Sequence, residues 1–181
     1  MALSFSVSAQ YSNVQVTGLA TVGGSWSAAA PWIFTPNADN ANIMYTDIQN
    51  KLATGDVTIL TTNASGTQSG TVNINVEITA LNGVTSGSVF TIQAQSDVTV
   101  TGAINVYANS ASYSGDKVVI NSVTGNILVN GTINTSSTGS NYMGTNPKNG
   151  GDIILNSMSG WLKVSAVLNA QGGNNYDYSN H

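Results

Sequence analysis

Charged residues are scarce in this chain of 181 residues. Asp, Glu, Lys and Arg together make up 7% of it, against roughly 25% in an average soluble protein. There is no arginine, and Glu77 is the only glutamate. Four lysines and a net charge of −4 cannot form the clustered basic surface of a nucleic-acid-binding protein. Because soluble helices need charged faces, the composition favours β structure built on Asn, Thr, Ser and Gly.

Cysteine is absent, and the single histidine is the terminal His181. These absences exclude a disulfide framework, thiol chemistry and a zinc site of the usual Cys and His ligands. No apolar run approaches the roughly 18 residues of a transmembrane helix, so we expect no direct insertion into a membrane. The start, MALSFSVSAQ, lacks a charged segment and a long apolar stretch, and is not a complete signal peptide.

Two short apolar patterns recur in alternation along the chain. In both patterns the apolar residues stand two apart, so they point to one face of a strand while their neighbours point away. The first pattern occurs at Val57/Ile59, Phe90/Ile92, Val118/Ile120 and Ile153/Leu155, and the second at Val72/Ile74/Ile78, Val98/Val100/Ile104, Ile127/Val129/Ile133 and Leu162/Val164/Leu168. One copy cannot bury its apolar face alone. Stacking copies at about 4.8 Å per layer predicts a β-solenoid with at least four coils.

Two further columns of residues follow the same alignment of copies. A corner column holds small residues, Gly102, Gly131 and Ala166, beside Val76. Glycine suits a corner because it has no Cβ and tolerates unusual backbone angles. Polar columns predict hydrogen-bonded side-chain ladders between coils, and they consist of Thr79, Asn105, Asn134 and Asn169 in one and of Asn121 and Asn156 in another.

The repeat divides the chain into three parts of one domain. Residues 1–50 repeat poorly and are predicted to form an irregular N-terminal layer or cap. The coils occupy 51–173, and 174–181 form a C-terminal tail outside the repeat. Segments of variable length between the strands are expected to leave the coil corners as loops, namely 60–70, 79–88, 105–117 and 134–151.

One short helix is predicted near residues 47–54. Thr46 and Gln49 have the spacing of a capping box, in which each side chain bonds the other's backbone N–H. Ile48 and Leu52 lie four apart on one face, and Gly55 can end the helix. We expect this helix to pack against a corner or an end of the solenoid.

The segment from Trp26 to Gly173 resembles the β-helical repeat region of filamentous-haemagglutinin-type exoproteins. The residues that carry the resemblance are WIFTPNADNANIMYTDIQNKLATGDVTILTTN and, after them, SGTVNINVEITA. The resemblance implies a right-handed parallel β-helix, export to the bacterial cell surface, and a role in adhesion or scaffolding. The handedness comes from the resemblance alone.

No arrangement of acids in the repeat predicts catalysis. A glycoside hydrolase needs two carboxyl groups within about 5–10 Å of each other. Asp56 and Asp152 share a column but lie three coils apart, and Lys117 beside Asp152 predicts a surface ion pair. An acidic metal site at Asp39 and Asp47 is the alternative to ordinary solvated acids at a turn and a helix start. We predict no enzyme activity, no metal and no cofactor.

Exposed aromatic residues are the candidates for binding. Alternation points Leu162 and Val164 inwards, so Trp161 points outwards and could stack on a sugar ring or lie at an interface. The alternative is that the loop 134–151 covers it. The predicted surface or ligand contacts are Trp161, Tyr107, Tyr113 and Tyr142.

These observations predict a non-enzymatic, structural or adhesive β-helix segment of a bacterial surface protein, located outside the cell. Expected partners are host or environmental glycans or surface proteins, and also other copies of the chain through end-to-end association. A self-assembling filament subunit is the alternative function, because a solenoid end exposes unpaired strand edges. A polysaccharide-active enzyme built on a β-helix is a third hypothesis.

Overall fold

The computed structural model describes residues 10–80, 87–108, 114–137 and 149–173. This part of the chain is mostly β-sheet, with one short helix. The elements in chain order are β1 Val14–Thr17, β2 Gly24–Trp26, β3 Trp32–Pro36, β4 Ala41–Met44, α1 Tyr45–Leu52, β5 Val57–Leu60, β6 Val72–Ile74, β7 Ile78–Thr79, β8 Val89–Ala94, β9 Val98–Val100, β10 Ile104–Asn105, β11 Lys117–Ser122, β12 Ile127–Val129, β13 Ile133–Asn134, β14 Ile153–Ser157, β15 Leu162–Val164 and β16 Leu168–Asn169.

The strands form three separate sheets. Sheet I has the order β15-β12-β9-β6-β1-β4, sheet II the order β14-β11-β8-β5-β3-β2, and sheet III the order β16-β13-β10-β7. All neighbouring strands are parallel except β2 and β3, which are antiparallel. Each repeat therefore contributes one strand to every sheet, and successive repeats are hydrogen-bonded neighbours.

The strand order corrects the predicted fold. A single right-handed parallel β-helix was expected, but the three sheets are open and do not close on one another. Strand β1 lies between β4 and β6, out of chain order, and β2 joins β3 in the antiparallel sense. The order of strands thus defines three largely parallel sheets and no single right-handed helix. The repeat pattern could not reveal this, since alternation fixes which face of a strand is apolar but not how sheets connect.

The pairing register agrees with the columns of the repeat. Val72 pairs with Val98, which pairs with Ile127, which pairs with Leu162. In sheet III, Ile78, Ile104, Ile133 and Leu168 form the matching column. The same holds in sheet II for the column that begins at Val57. Register is strongly specified here because a slip by one residue would turn every apolar side chain away from the core.

A continuous aliphatic core lies on the inner faces of the sheets. Its members share complete or nearly complete burial, and they come from every repeat except the last. The largest fully buried side chains are Phe34, Phe90, Ile43, Ile48, Leu52, Ile59, Ile74, Ile78, Ile92, Ile104, Ile120 and Ile127. Burying such a side chain contributes roughly 1.5–3 kcal/mol, so these columns are the main source of stability.

The polar columns do not form the predicted ladders. Asn105, Asn134 and Asn169 are Cα neighbours, but each amide bonds elsewhere. The Asn105 amide donates to Glu77, and the oxygens of Asn134 and Asn169 accept the backbone N–H two residues further on. The bonds of Asn134 and Asn169 form local turns, which compete well with side-chain contacts between layers. The predicted register was therefore right, and the predicted side-chain bonding was wrong.

The helix begins earlier than predicted and has no capping box. Met44 is its N-cap residue and contributes no side-chain hydrogen bond, while Thr46 lies inside the first turn. The prediction that Ile48 and Leu52 share a buried face is confirmed. Helix α1 contacts β4, β5 and β7, so it packs against the first strands of the sheets.

The helix and an antiparallel hairpin together cover one end of the core. In the hairpin, Trp26 of β2 packs edge-on against Phe34 of β3, with the ring centroids 5.3 Å apart. The Lys51 ammonium of α1 lies over the rings of both Trp32 and Trp26, 3.8 and 4.9 Å from their centroids. At the outer edge of sheet I, Asn42 of β4 exchanges backbone hydrogen bonds with Val22. We call this the covered end.

The corner glycines allow the layers to approach each other. A Cβ on Gly131 would lie 2.2 Å from the carbonyl oxygen of Gly102, and one on Gly102 would lie 2.1 Å from that of Val76. Both obstacles are backbone atoms, which cannot rotate away. The predicted small-residue column is therefore a steric requirement of the stacking.

We predict that Gly131→Ala lowers the free energy of unfolding by about 2–3 kcal/mol, since the added methyl group forces two layers apart. Chemical denaturation measures this change. Gly18→Ala is the matched control, because nothing lies within 4 Å of a Cβ at Gly18. Equal stability of the two variants would show that the corner column is not a packing constraint.

Candidate functional site

A groove of about 310 Å³ lies at the corner where the chain leaves sheet II. Its walls combine one aromatic ring, three side-chain amides, two threonines and four apolar side chains. The lining residues are Tyr11, Leu60, Thr61, Thr62, Gln93, Ala94, Gln95, Asn121, Val123 and Met158. We call this the side groove.

The repeat positions most of these residues. Leu60 pairs with Gln93 and Gln93 with Asn121, so these three side chains lie side by side on adjacent strands. The corner continues in the same register, because Val123 N–H donates to the Ala94 carbonyl and Met158 N–H donates to the Ser122 carbonyl. The groove thus crosses successive layers, spaced at about 4.8 Å.

Tyr11 lies at the groove because it pairs with the segment 60–70, which the sequence predicted to be a surface loop. It forms isolated antiparallel bridges with Thr62 and Gln68. The Gln68 N–H donates to the Tyr11 carbonyl at 2.9 Å, and the next residue, Ser12, donates its N–H to the Thr61 carbonyl at 2.9 Å. The insertion is therefore bound to the N-terminal segment rather than projecting from a corner.

A polar network fixes this arrangement. The Asp39 carboxylate accepts hydrogen bonds from the hydroxyl and N–H of Thr67 and from the Ser12 hydroxyl. The bonds from Thr67, and to a smaller extent that from Ser12, hold the pKa of Asp39 below its ordinary value. The Gln68 amide oxygen accepts N–H bonds from both Asn13 and Asn40 at 2.8 and 2.9 Å. Residues far apart in sequence are thereby joined around Tyr11.

The side groove has the chemistry of a site for a neutral polar ligand. None of its lining residues is charged. Within the described part of the chain, the side-chain amides of Gln93, Gln95 and Asn121 form no hydrogen bond, so each can donate to and accept from a ligand. Sequence reasoning missed Tyr11 because it precedes the repeat. The signal available was the outward polar column that contains Asn121.

The structure does not bring the predicted aromatic contacts together. Trp161 is 52% exposed and stands just before β15 of sheet I. Tyr107 is half-buried and follows β10 of sheet III. Neither lines the side groove. Tyr113 and Tyr142 lie outside the described residues, so a common aromatic patch stays a prediction.

Asp116 is the one carboxyl group held inside the described structure, with 9% of its surface exposed. Its Oδ1 accepts the backbone N–H groups of Gly87 and Ser88 at 3.1 and 3.0 Å. Burial raises its pKa to about 6, the two N–H bonds act in the opposite direction, and the nearby Asp56 adds to the rise. Alignment of the repeats within the chain did not predict that these two acids lie near each other, because Asp116 and Asp56 are not in one column. Asp116 lines neither the side groove nor a cavity beside Tyr45 and Gln49.

The remaining charged groups have simple surroundings. The predicted Lys117–Asp152 ion pair is confirmed, at 3.3 Å. Asp47 accepts a hydrogen bond from the Thr21 hydroxyl at 2.5 Å and is not joined to Asp39 in an acidic site. Among residues 10–80, 87–108, 114–137 and 149–173, no group of three His, Cys, Asp or Glu side chains is placed to hold a metal ion. In the same ranges no helix is long and apolar enough to span a membrane.

The end opposite to the covered end is open. It consists of β14, β15 and β16, the last strand of each sheet. Leu162, Val164 and Leu168 pair with fully buried residues, yet they are 47%, 38% and 41% exposed. No described segment lies against their other side. We call these three strands the open end.

The raised pKa of Asp116 predicts a pH-dependent stability. The folded protein holds this proton more tightly than the unfolded chain does, so stability is highest below the unfolded value near 4. It falls as the pH rises through about 6. After allowance for solvent screening, Asp116→Asn should stabilise the fold by about 1 kcal/mol at a pH of about 7.5 and have little effect at about 4.5. Denaturation at both pH values measures it.

Asp97→Asn is the control for this experiment, because Asp97 is exposed and also accepts a backbone N–H, from Asn126. It should keep the pH dependence of the unaltered protein. An Asp116→Asn protein with the same pH dependence as the unaltered chain would contradict the assignment.

Comparison with family models, curated proteins and solved structures finds no match for this chain. The resemblance to haemagglutinin-type repeats therefore stays a prediction from the sequence. A function has to be argued from the side groove, the covered end and the open end.

Proposed function

We propose that this chain is a non-enzymatic, structural and adhesive segment of a bacterial surface protein that binds a neutral saccharide in its side groove. The single observation that carries the proposal is the lining of the groove, which places Tyr11 beside three residues with unbonded side-chain amides and includes no charged residue. Saccharides offer apolar C–H faces that pack on aromatic rings and hydroxyl groups that both donate and accept.

The lining favours a saccharide over other classes of ligand. An anionic ligand such as a phosphate needs Lys, Arg or converging backbone N–H groups, and none of the lining side chains is cationic. A purely apolar ligand would leave three amides unpaired, which costs free energy. A neutral polyol satisfies the amides and covers Leu60, Val123 and Met158 at the same time.

The framework suits an adhesive role outside the cell. Two of the three amides, those of Gln93 and Asn121, stand on adjacent hydrogen-bonded strands whose opposite faces are buried. Such a site is preorganised, so little conformational entropy is lost on binding. The scarcity of charge and the haemagglutinin-like residues support a surface location, and host or environmental glycans are the corresponding partners.

The alternative function, a self-assembling filament subunit, receives support from one end only. The open end exposes three unpaired strand edges, which favours association. A head-to-tail filament also needs a free opposite end, and there the hairpin and α1 cover the core. This asymmetry favours the adhesive proposal.

We predict that Tyr11→Ala weakens saccharide binding by about tenfold, through loss of ring stacking worth about 1 kcal/mol or more. Tyr11→Phe keeps the ring and should retain most of the affinity. The probes are neutral oligosaccharides of glucose, galactose or mannose, screened on an array, with titration calorimetry of the strongest binder. Thermal unfolding of each variant separates lost binding from lost folding.

Trp161→Ala is the matched control, since Trp161 is an exposed aromatic residue outside the groove. Its binding should equal that of the unaltered chain. Loss of binding in this variant alone would move the site to Trp161, and absence of binding to every neutral oligosaccharide would refute the proposal. Release of reducing sugar ends during incubation would instead support the polysaccharide-active enzyme.

A further inference from the structure

The open end exposes hydrogen-bonding groups as well as apolar side chains. In β15, residues 161, 163 and 165 face β12, because Trp161 accepts from the Ile127 N–H and the Ser165 N–H donates to Val129. In a parallel ladder alternate residues bond to opposite sides. The N–H and C=O groups of Leu162 and Val164 therefore point to the free edge.

The same geometry holds in the other two sheets. In β14, the Asp152 carbonyl accepts from Val118 and the Met158 N–H donates to Ser122, so Ile153 and Leu155 point their backbone groups to the free edge. In β16, Val167 and Asn169 accept bonds from β13, which leaves Leu168 facing outwards. The last layer therefore has three strand edges whose backbone N–H and C=O groups point away from the stack.

These edges lie around one end of the core. The chain runs from β14 through β15 to β16 within residues 153–169, and β14 contacts β15. A Cβ on Gly150, just before β14, would lie 2.1 Å from the carbonyl oxygen of Ala170, just after β16. The exposed side chains of Leu162, Val164 and Leu168 lie between these edges, so an occupant must match an apolar centre and three strand edges together.

A second copy of the chain meets these requirements. A single extended peptide adds one strand to one sheet, whereas the open end of another copy presents three edges around an apolar centre of the same kind. The charges agree with this occupant. The last layer carries one acid and one base, Asp152 and Lys163, so two such layers meet without excess charge, although the chain as a whole carries −4.

We propose that two copies associate through their open ends, as a dimer with twofold symmetry. A twofold axis normal to one sheet pairs the edge strand of that sheet with its own copy and pairs the edges of the other two sheets with each other. All of these pairs are antiparallel, and the interface is isologous. The covered ends then face outwards, and assembly stops at two copies. This distinguishes the dimer from an open-ended filament, and it does not depend on saccharide binding.

Sedimentation velocity of the full 181-residue chain, from micromolar to millimolar concentration, tests the proposal. The unaltered protein should convert from one to two copies. Val164→Pro removes one N–H from the free edge while residues 163 and 165 keep their bonds to β12, and it should weaken dimerisation by at least about tenfold. Leu162→Lys places a charge at the apolar centre and should act in the same direction.

Leu19→Lys is the control, because Leu19 is 72% exposed and lies outside the open end, and it should dimerise normally. Amide hydrogen exchange of the unaltered protein provides a second measurement that needs no variant. Protection at Leu155, Leu162 and Val164 should rise with protein concentration. A monomer at every concentration, growth beyond two copies, or full dimerisation of Val164→Pro would each overturn the proposal.

Discussion

The structure depends on one constraint: the apolar face of each repeat can be removed from water only by the repeats beside it. A single copy has too few inward apolar side chains to form a core. When Val72, Val98 and Ile127 pair in one column, their side chains become fully buried. Register and corner glycines both serve this stacking, because any slip or added methyl group separates neighbouring layers.

The same constraint explains why the two ends differ. At the covered end, Trp26, Phe34 and the helix residues Ile48 and Leu52 replace the missing neighbour. At the open end nothing described replaces it, and Leu162 is 47% exposed although its partner Ile127 is fully buried. The position of a residue in the stack, rather than its type, thus decides its exposure.

Alternation and spacing were sufficient to predict the apolar columns, the pairing register, the helix face and the Lys117–Asp152 ion pair. They were insufficient for the connection of the sheets, because β1 enters sheet I out of chain order. They also failed for the polar column, because the Asn105 amide donates to Glu77 of the preceding layer, and the oxygens of Asn134 and Asn169 accept N–H groups two residues further on. Tyr11 was beyond prediction, since its place depends on bridges to Thr62 and Gln68, which lie far along the chain in the insertion.

Outward positions are where the repeat leaves chemistry free to vary. Inward positions are mostly occupied by aliphatic and aromatic side chains, as close packing favours, whereas Leu60, Gln93 and Asn121 occupy one outward column with different side chains. Such a column places different functional groups one layer apart on a backbone fixed by the core. Tyr11 adds to this column an aromatic ring held by a separate polar network. A ligand therefore meets a surface whose chemistry is independent of the interactions that stabilise the fold, and changes of specificity there need not reduce stability.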